Sequence, residues 1–241
     1  MTSSSNTASR GARLRRGVLA AALVFAAAPA LAVEPFSADY KANYMGMEAT
    51  AKMSLAREGG ERWKYSLDLT GMGAEMKQST LFEAQGDAWR PISSTDSQRG
   101  TSGLAAMLVK KKSVTANYDW NQRVARWTGD VDADEAGPVK LQPGDLDGML
   151  MNLALVRDVG AGKPLTYRLV EDGRARTQTF QVAGTETVQV GGKSHEATKV
   201  VRSDGKRELI AWVVDGLPVP ARVLQRRNGK DHIDLTLSAV R

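Results

Sequence analysis

"FSADYKANYMGMEATAKMSL", Phe36–Leu55, carries the pattern that decides the fold. Phe36, Ala38, Tyr40, Ala42 and Tyr44 alternate with polar residues, and after Gly46 the set Met47, Ala49, Ala51, Met53 and Leu55 repeats the alternation. A period of two gives each strand one buried face, so the stretch predicts two successive strands turning at the glycine. Gly59-Gly60 closes this pair, and Trp63, Tyr65, Leu67 and Leu69 predict a third strand ending at Gly71 and Gly73. Residues 76–85 predict a fourth. A fifth runs through Trp89, where Pro91, lacking an N–H, predicts an edge or a short piece.

Further along, residues 99–106 read as a loop, and Val114, Ala116, Tyr118 and Trp120 resume the alternation, turning at Asn121-Gln122 into Arg123 to Thr128. The period then changes. Leu146, Met149, Leu150, Leu153, Ala154 and Val156 recur at three and four, with Asp145 as N-cap and Gly160 as stop, which predicts one principal helix over residues 146–158. Strands return over residues 165–171, 177–190, 194–202, 208–214, 221–227 and 232–239, divided by Asp-Gly, Gly-Gly and Asn-Gly turns. Within "AWVVDGLPVPARVL", Ala211–Leu224, the Asp-Gly pair and two prolines predict an extended connection between two strands. The expected fold is mainly β: a curved antiparallel sheet forming a partial or closed barrel, with one principal α-helix packed against it.

The first 32 residues read differently. Arg10, Arg13, Arg15 and Arg16 precede the apolar run Val18 to Ala28, and Ala30-Leu31-Ala32 is an Ala-x-Ala site, so a signal peptide cleaved after Ala32 is expected. The Arg15-Arg16 pair lacks the flanking residues of a twin-arginine signal, which favours the general secretory route. Residues 33–241 then form a single β-rich domain in the periplasm, with no transmembrane segment in the mature chain. The formal charge of +6 also changes meaning, because four of the 33 basic residues and none of the 27 acidic ones lie in this leader. The mature balance of 29 against 27 removes the main argument for a nucleic-acid partner. The chain has no cysteine, so disulfides and thiolate chemistry are excluded.

Four further segments, "WRPISS", "YDWNQ", "PGDLDGMLMNLALVRD" and "IAWVVDGLPVPARVL", join the opening stretch in resembling the bacterial exported proteins grouped as domain of unknown function 3108. That resemblance covers nearly all the mature chain and implies an exported β-rich domain without an established activity. One departure is Gly148-Met149-Leu150, where a serine soon after Asp147 would be expected, which puts in doubt any special role for the helix entrance. By looser likeness, curved sheets with a covering helix look like lipoprotein carriers and other lipid-handling proteins, although a fold alone does not establish function.

Motifs of chemistry are sparse. In "GDVDADEAG" the aspartates 130, 132 and 134 alternate, but Glu135 stands where an EF-hand needs glycine and Leu141 where it needs glutamate. His195 and His232 have no partners at ligand spacing, so no metal site and no cofactor is expected. No Gly-x-Ser-x-Gly elbow occurs, and Gly71-Met72-Gly73 lacks the third glycine of a dinucleotide loop. No catalytic residue is expected.

The aromatic set on the strands is the stronger signal. Trp63, Tyr65, Phe82, Tyr118, Trp120 and Trp212, with Met149, Leu150 and Leu153 of the helix, would line a cavity in the concave face. The methionines Met45, Met47, Met53, Met72 and Met76 would add adaptable surface, and the same residues also suit an ordinary core. Lys110, Lys111 and Lys112 would supply a basic rim for an anionic head group. The expected function is therefore a periplasmic, non-enzymatic protein that binds a lipid-like, hydrophobic or amphipathic envelope molecule. The alternatives are an envelope protein–protein interaction module and a hydrolase using carboxylates, which would require two carboxylates facing one another in a cleft with shifted pKa values.

Overall fold

The structure is a computed structural model and describes residues 34–44, 46–86 and 88–241. The expected signal peptide and Met45 lie outside the described residues. Strands β1 (Phe36–Tyr44), β2 (Met47–Gly59), β3 (Arg62–Gly71), β4 (Ala74–Gln85) and β5 (Ala88–Gly100) follow one another as an antiparallel meander. A short helix α1 (Gly103–Leu108) precedes β6 (Lys112–Asp119), β7 (Val124–Gly129) and β8 (Val139–Lys140). Next come β9 (Asp145–Leu146), the principal helix α2 (Gly148–Gly160), β10 (Thr166–Glu171) and β11 (Arg174–Thr179). The chain ends with β12 (Gln181–Val190), β13 (Lys193–Asp204), β14 (Arg207–Val213), β15 (Arg222–Arg227) and β16 (Lys230–Val240).

Thirteen strands form one sheet in the order β12-β13-β14-β15-β16-β1-β2-β3-β4-β5-β6-β7-β8, and β11-β10-β9 form a second, small one. Pairing of β16 with β1 joins the two halves of the chain, with Ala42 opposite Leu235. Helix α2 touches β3 and β4 on one side and β14 on the other. In a flat sheet β3 and β14, five strands apart, would be separated by about 24 Å, more than the ~10–12 Å width of a helix, so the sheet must curl around α2. Its edges, β12 and β8, do not pair, so no closed barrel forms. The antiparallel rule also has one exception, since β9 runs parallel to β10.

The inner face follows the alternation read from the sequence. Phe36, Ala38, Tyr40 and Ala42 of β1, Met53 and Leu55 of β2, and Trp63 and Tyr65 of β3 are buried in one cluster with Leu150, Leu153 and Ala154 of α2. Tyr40 donates its hydroxyl proton to the carbonyl of Pro220 at 2.8 Å, which ties β1 to the proline-bearing connection between β14 and β15. That connection turns at Gly216, whose φ is +78°, and buries Val219 completely.

Four expectations are corrected. Strand β5 is a long interior strand rather than an edge, because Pro91 falls at a bulge: Leu81 faces Ser93 and Phe82 faces Pro91, leaving Ile92 as the extra residue. Of the loop expected over residues 99–106, residues 99–100 end β5 and residues 103–106 belong to α1, which runs on to Leu108. The expected strand over residues 177–190 is broken at Phe180, a buried residue that packs edge-on against Tyr167 while the chain crosses from the small sheet to the large one. Helix α2 begins two residues later than expected. Asp147, not Asp145, accepts the Leu150 N–H as N-cap, while Asp145 is held in the small sheet by an ion pair with Arg168. Among the described residues no helix is long and apolar enough to cross a membrane.

Candidate functional site: two cavities at opposite ends of the principal helix

An apolar groove of about 430 Å³ lies against the C-terminal half of α2. Phe36, Leu55, Trp89, Leu153, Val156 and Leu217 are among its lining residues, and the segment 213–218 closes one side. Arg157 stands in the same lining, its guanidinium 4.4 Å from the Trp89 ring centroid and bonded to Asp158 at 2.7 Å and 3.1 Å. Asp158 is buried and also accepts the Tyr167 hydroxyl at 3.1 Å. Burial and that neighbouring carboxylate push the Tyr167 hydroxyl above its ordinary range. Arg157 is thereby presented as a fixed cation on an aromatic shelf.

The second cavity, about 300 Å³, is polar and lies at the N-terminus of α2. Asp147 accepts from Leu150 N at 2.8 Å and from the hydroxyl of Thr80, a completely buried residue of β4. Burial outweighs these hydrogen bonds and pushes the Asp147 carboxyl up to about 6. Glu171 at the end of β10 is pushed up to about 7, first by burial, then by the charges of Asp172 and Asp147, with Arg176 opposing. Its Oε1 lies against Gly148, where a Cβ would come within 2.9 Å, so the absence of a side chain there leaves room for the carboxylate.

Facing these acids are two arginines of other strands. Arg176 of β11 stands 3.7 Å from Glu171, and Arg202 of β13 donates to Gln178. The Nε atoms of both are buried and have no hydrogen-bond partner among the described residues. Burial correspondingly lowers the pKa of Arg202. Asp96 of β5 is raised by burial while Gln78 and Lys112 oppose the shift. The cleft thus sets proton-holding carboxyls against under-partnered guanidiniums, an arrangement able to exchange protons near neutral pH and to bind polar groups of either sign.

Residues 39–236 match the family described as Protein of unknown function (DUF3108). The chain belongs to this family. A search of curated proteins found no match. The matched region runs from β1 to β16, so the DUF3108 domain is the curled sheet itself, with the polar cleft wholly inside it.

The DUF3108 fold distributes the expected wall residues rather than gathering them. Leu153 lines the groove, whereas Tyr118 and Met149 line the polar cleft. Trp63, Tyr65, Phe82 and Leu150 are packed into the core, with the Tyr65 hydroxyl 3.4 Å from the Met53 sulfur. Trp120 packs beside β6 and β7 and donates to the Pro91 carbonyl at 2.7 Å. Trp212 faces the opposite side of the sheet, with Ile210, Val214 and Leu224, and donates to Glu186 at 2.7 Å. Of the three lysines, Lys112 lines the polar cleft, and all three side chains are exposed.

Trp89, Arg157 and the segment 213–218 were absent from the expected wall, as were Asp147 and Glu171. The one sequence signal for Asp147 was its position before an apolar helical run. Among the described residues no three His, Cys, Asp or Glu side chains converge as metal ligands. His232 instead packs edge-on against Tyr44, with ring centroids 5.2 Å apart.

Proposed function

We propose that this protein is a non-enzymatic carrier of the periplasm that holds the apolar chain of an amphipathic envelope molecule in the groove beside α2. The observation that carries this reading is the groove itself: about 430 Å³, walled by Phe36, Leu55, Trp89, Leu153, Val156 and Leu217 beside a single positioned arginine. Its volume lies in the roughly 300–1,000 Å³ range of small-molecule sites. Each methylene moved from water into such a wall contributes about 0.8 kcal/mol, so roughly ten buried carbons, a long acyl chain rather than a short one, correspond to micromolar retention. Arg157, steadied by Asp158 and Trp89, suits an anionic head group at the mouth. In this reading the curled sheet serves as a partial barrel whose middle is filled by core and whose end is open to the ligand. The arginine-led leader of residues 1–32 supports export.

Two measurements test it. Native mass spectrometry of the protein isolated from cell envelopes is expected to show a lipid-like adduct. A fatty acid brominated along its chain is expected to quench tryptophan fluorescence, and Trp89→Phe to remove most of that quenching. Adduct-free protein with unquenched fluorescence would falsify the reading.

The polar cleft supports a second reading, an acid–base hydrolase site in which Asp147 and Glu171 share the proton traffic. Two carboxyls raised toward neutral pH in the lining of one cleft, the charge of one raising the other, are the observation in its favour. Turnover of an ester or glycoside that disappears in both Asp147→Asn and Glu171→Gln would establish it over the carrier reading.

A further inference from the structure

Strand direction separates the molecule into two ends. The groove lies where β1 begins, β2 ends and β14 ends. At the other end lie the β1–β2 and β3–β4 turns, helix α1 and the β13–β14 turn. Five large apolar side chains are exposed among the described residues, and four of them belong to this second end: Met47 at 40%, Met72 at 63%, Leu104 at 75% and Met107 at 84%. Such a concentration is unlike the scattered single apolar residues normal for a surface.

These side chains sit on a built platform. The N–H groups of Thr101 and Ser102, entering α1, both donate to the Gly73 carbonyl, at 2.6 Å and 3.1 Å, which docks the start of α1 on the turn that carries Met72. Helix α1 lies so close to β5 that a Cβ on Gly100 would fall 1.9 Å from the Ala105 carbonyl oxygen. Leu104 and Met107, three residues apart, share one side of the helix and point away from the sheet, as their exposure requires. Nothing else in the described chain covers them.

Charge indicates what does. Lys110, Lys111 and Lys112 follow α1 directly, all exposed, and none forms an ion pair among the described residues. Of the acids at this end, Glu75 is already paired with Arg99 at 3.0 Å, Glu48 lies on β2, and Asp130, which follows β7, accepts the Ser113 N–H at 2.8 Å and ion-pairs with none of the three lysines. A compact apolar tip bordered by three lysines is complementary to a surface that is greasy beneath and anionic above. We infer that this end of the sheet rests on an anionic lipid bilayer, with Met47, Met72, Leu104 and Met107 in the interface and Lys110, Lys111 and Lys112 against lipid phosphates. This surface is independent of the groove, which occupies the opposite end.

The test is co-sedimentation of the purified protein with vesicles of phosphatidylethanolamine and phosphatidylglycerol at three to one, beside vesicles of phosphatidylcholine alone. Binding to the anionic vesicles is expected, weakening with added salt. Replacing all three lysines with glutamine is expected to reduce it on the order of a hundredfold, from the usual contribution of each basic residue at a membrane surface. Leu104→Ser with Met107→Ser is expected to cost at least about tenfold, by removing apolar burial. These positions are exposed, so melting temperatures are expected to match the parent. Val156→Trp, which fills the groove, is expected to leave vesicle binding unchanged, so the two proposals fail separately.

The inference is overturned by absence of binding to anionic vesicles, or by binding that both tip variants leave intact. It is equally overturned if sedimentation equilibrium without lipid shows a dimer that Leu104→Ser dissolves, which would assign the tip to a second copy.

Discussion

Thr80 Oγ1 donates to Asp147 Oδ2 at 2.5 Å, joining the middle of β4 to the N-cap of α2 across 67 residues of chain. Asp147 therefore serves two elements at once, one oxygen on Leu150 N–H and the other on β4. Thr80→Val keeps the shape and removes the donor. It is expected to cost about 1–3 kcal/mol, because a buried carboxylate loses one of its few partners. The loss is expected to be larger at pH 7.5 than at pH 5, since the charged form needs the donor more. Urea unfolding of both proteins at the two pH values measures it, and equal losses would contradict the assignment.

Asp147 itself gives a signed pH dependence. Its folded pKa of about 6 lies above the unfolded 3.8, so the folded state holds the proton more tightly. The stability this contributes is fully present below pH 3.8 and is lost as pH rises through about 6, a change of about 3 kcal/mol. Asp147→Asn retains a good capping side chain and cannot ionise. Relative to the parent it is expected to gain stability progressively between pH 4 and pH 6.5, then to level off. Denaturant midpoints across that range check the curve; a flat difference would show that Asp147 does not titrate there.

The same substitution removes a charge that acts on Glu171. Because Asp147 is among the causes raising Glu171 to about 7, Asp147→Asn is expected to lower the Glu171 midpoint. Carboxyl carbon chemical shifts followed by NMR across pH 4–9 report it directly. An unchanged midpoint would leave burial with the charges of Asp172 and Asp96 as the cause.

The strand pattern was legible because it needed only local information: side chains two apart share a face, and Phe36 to Leu55 follows that rule on both sides of the turn at Gly46. The start of α2 was not, since Asp145 and Asp147 are equally good caps in isolation. The choice was made by Arg168, 23 residues away, which claims Asp145. Pro91 misled for a similar reason: a proline is excluded from interior strands unless a bulge removes its hydrogen bond, and the bulge is a property of two strands together. The polar cleft was the least legible feature. Thr80, Asp147, Glu171, Arg176 and Arg202 come from five separate elements, and no spacing in the chain announces that the curl of the sheet brings them together.

Asp158 is expected to be the most sensitive acid near the groove. It is 4% exposed and satisfies both Arg157 and the Tyr167 hydroxyl. Asp158→Ala removes the bidentate acceptor of Arg157 and the acceptor of the Tyr167 hydroxyl, at an expected cost of about 2–3 kcal/mol. Tyr167→Phe removes one hydrogen bond and is expected to cost about 1 kcal/mol. Thermal melts of the two variants rank them, and a Tyr167→Phe loss as large as that of Asp158→Ala would mean that the arginine is not the dependent partner.

Two glycines separate space from backbone strain. Gly100 has an ordinary φ, but a Cβ there would lie 1.9 Å from the backbone of Ala105, whereas Gly86 has a φ of +58° and open space around it. Gly86→Ala is expected to cost about 1 kcal/mol through its left-handed backbone, without disturbing any neighbour. Gly100→Ala instead forces α1 off the end of β5, because backbone atoms cannot step aside as a flexible side chain would. Its global stability is expected to fall by about 1–3 kcal/mol, the usual range for overpacking. Amide exchange resolves the two mechanisms: Gly100→Ala is expected to speed exchange at Ala106 and Val109, whose N–H groups bond within α1 and its cap, while Gly86→Ala leaves them at parent rates. Faster exchange at those amides in both variants would show that α1 is held by global stability alone and not by its contact with Gly100.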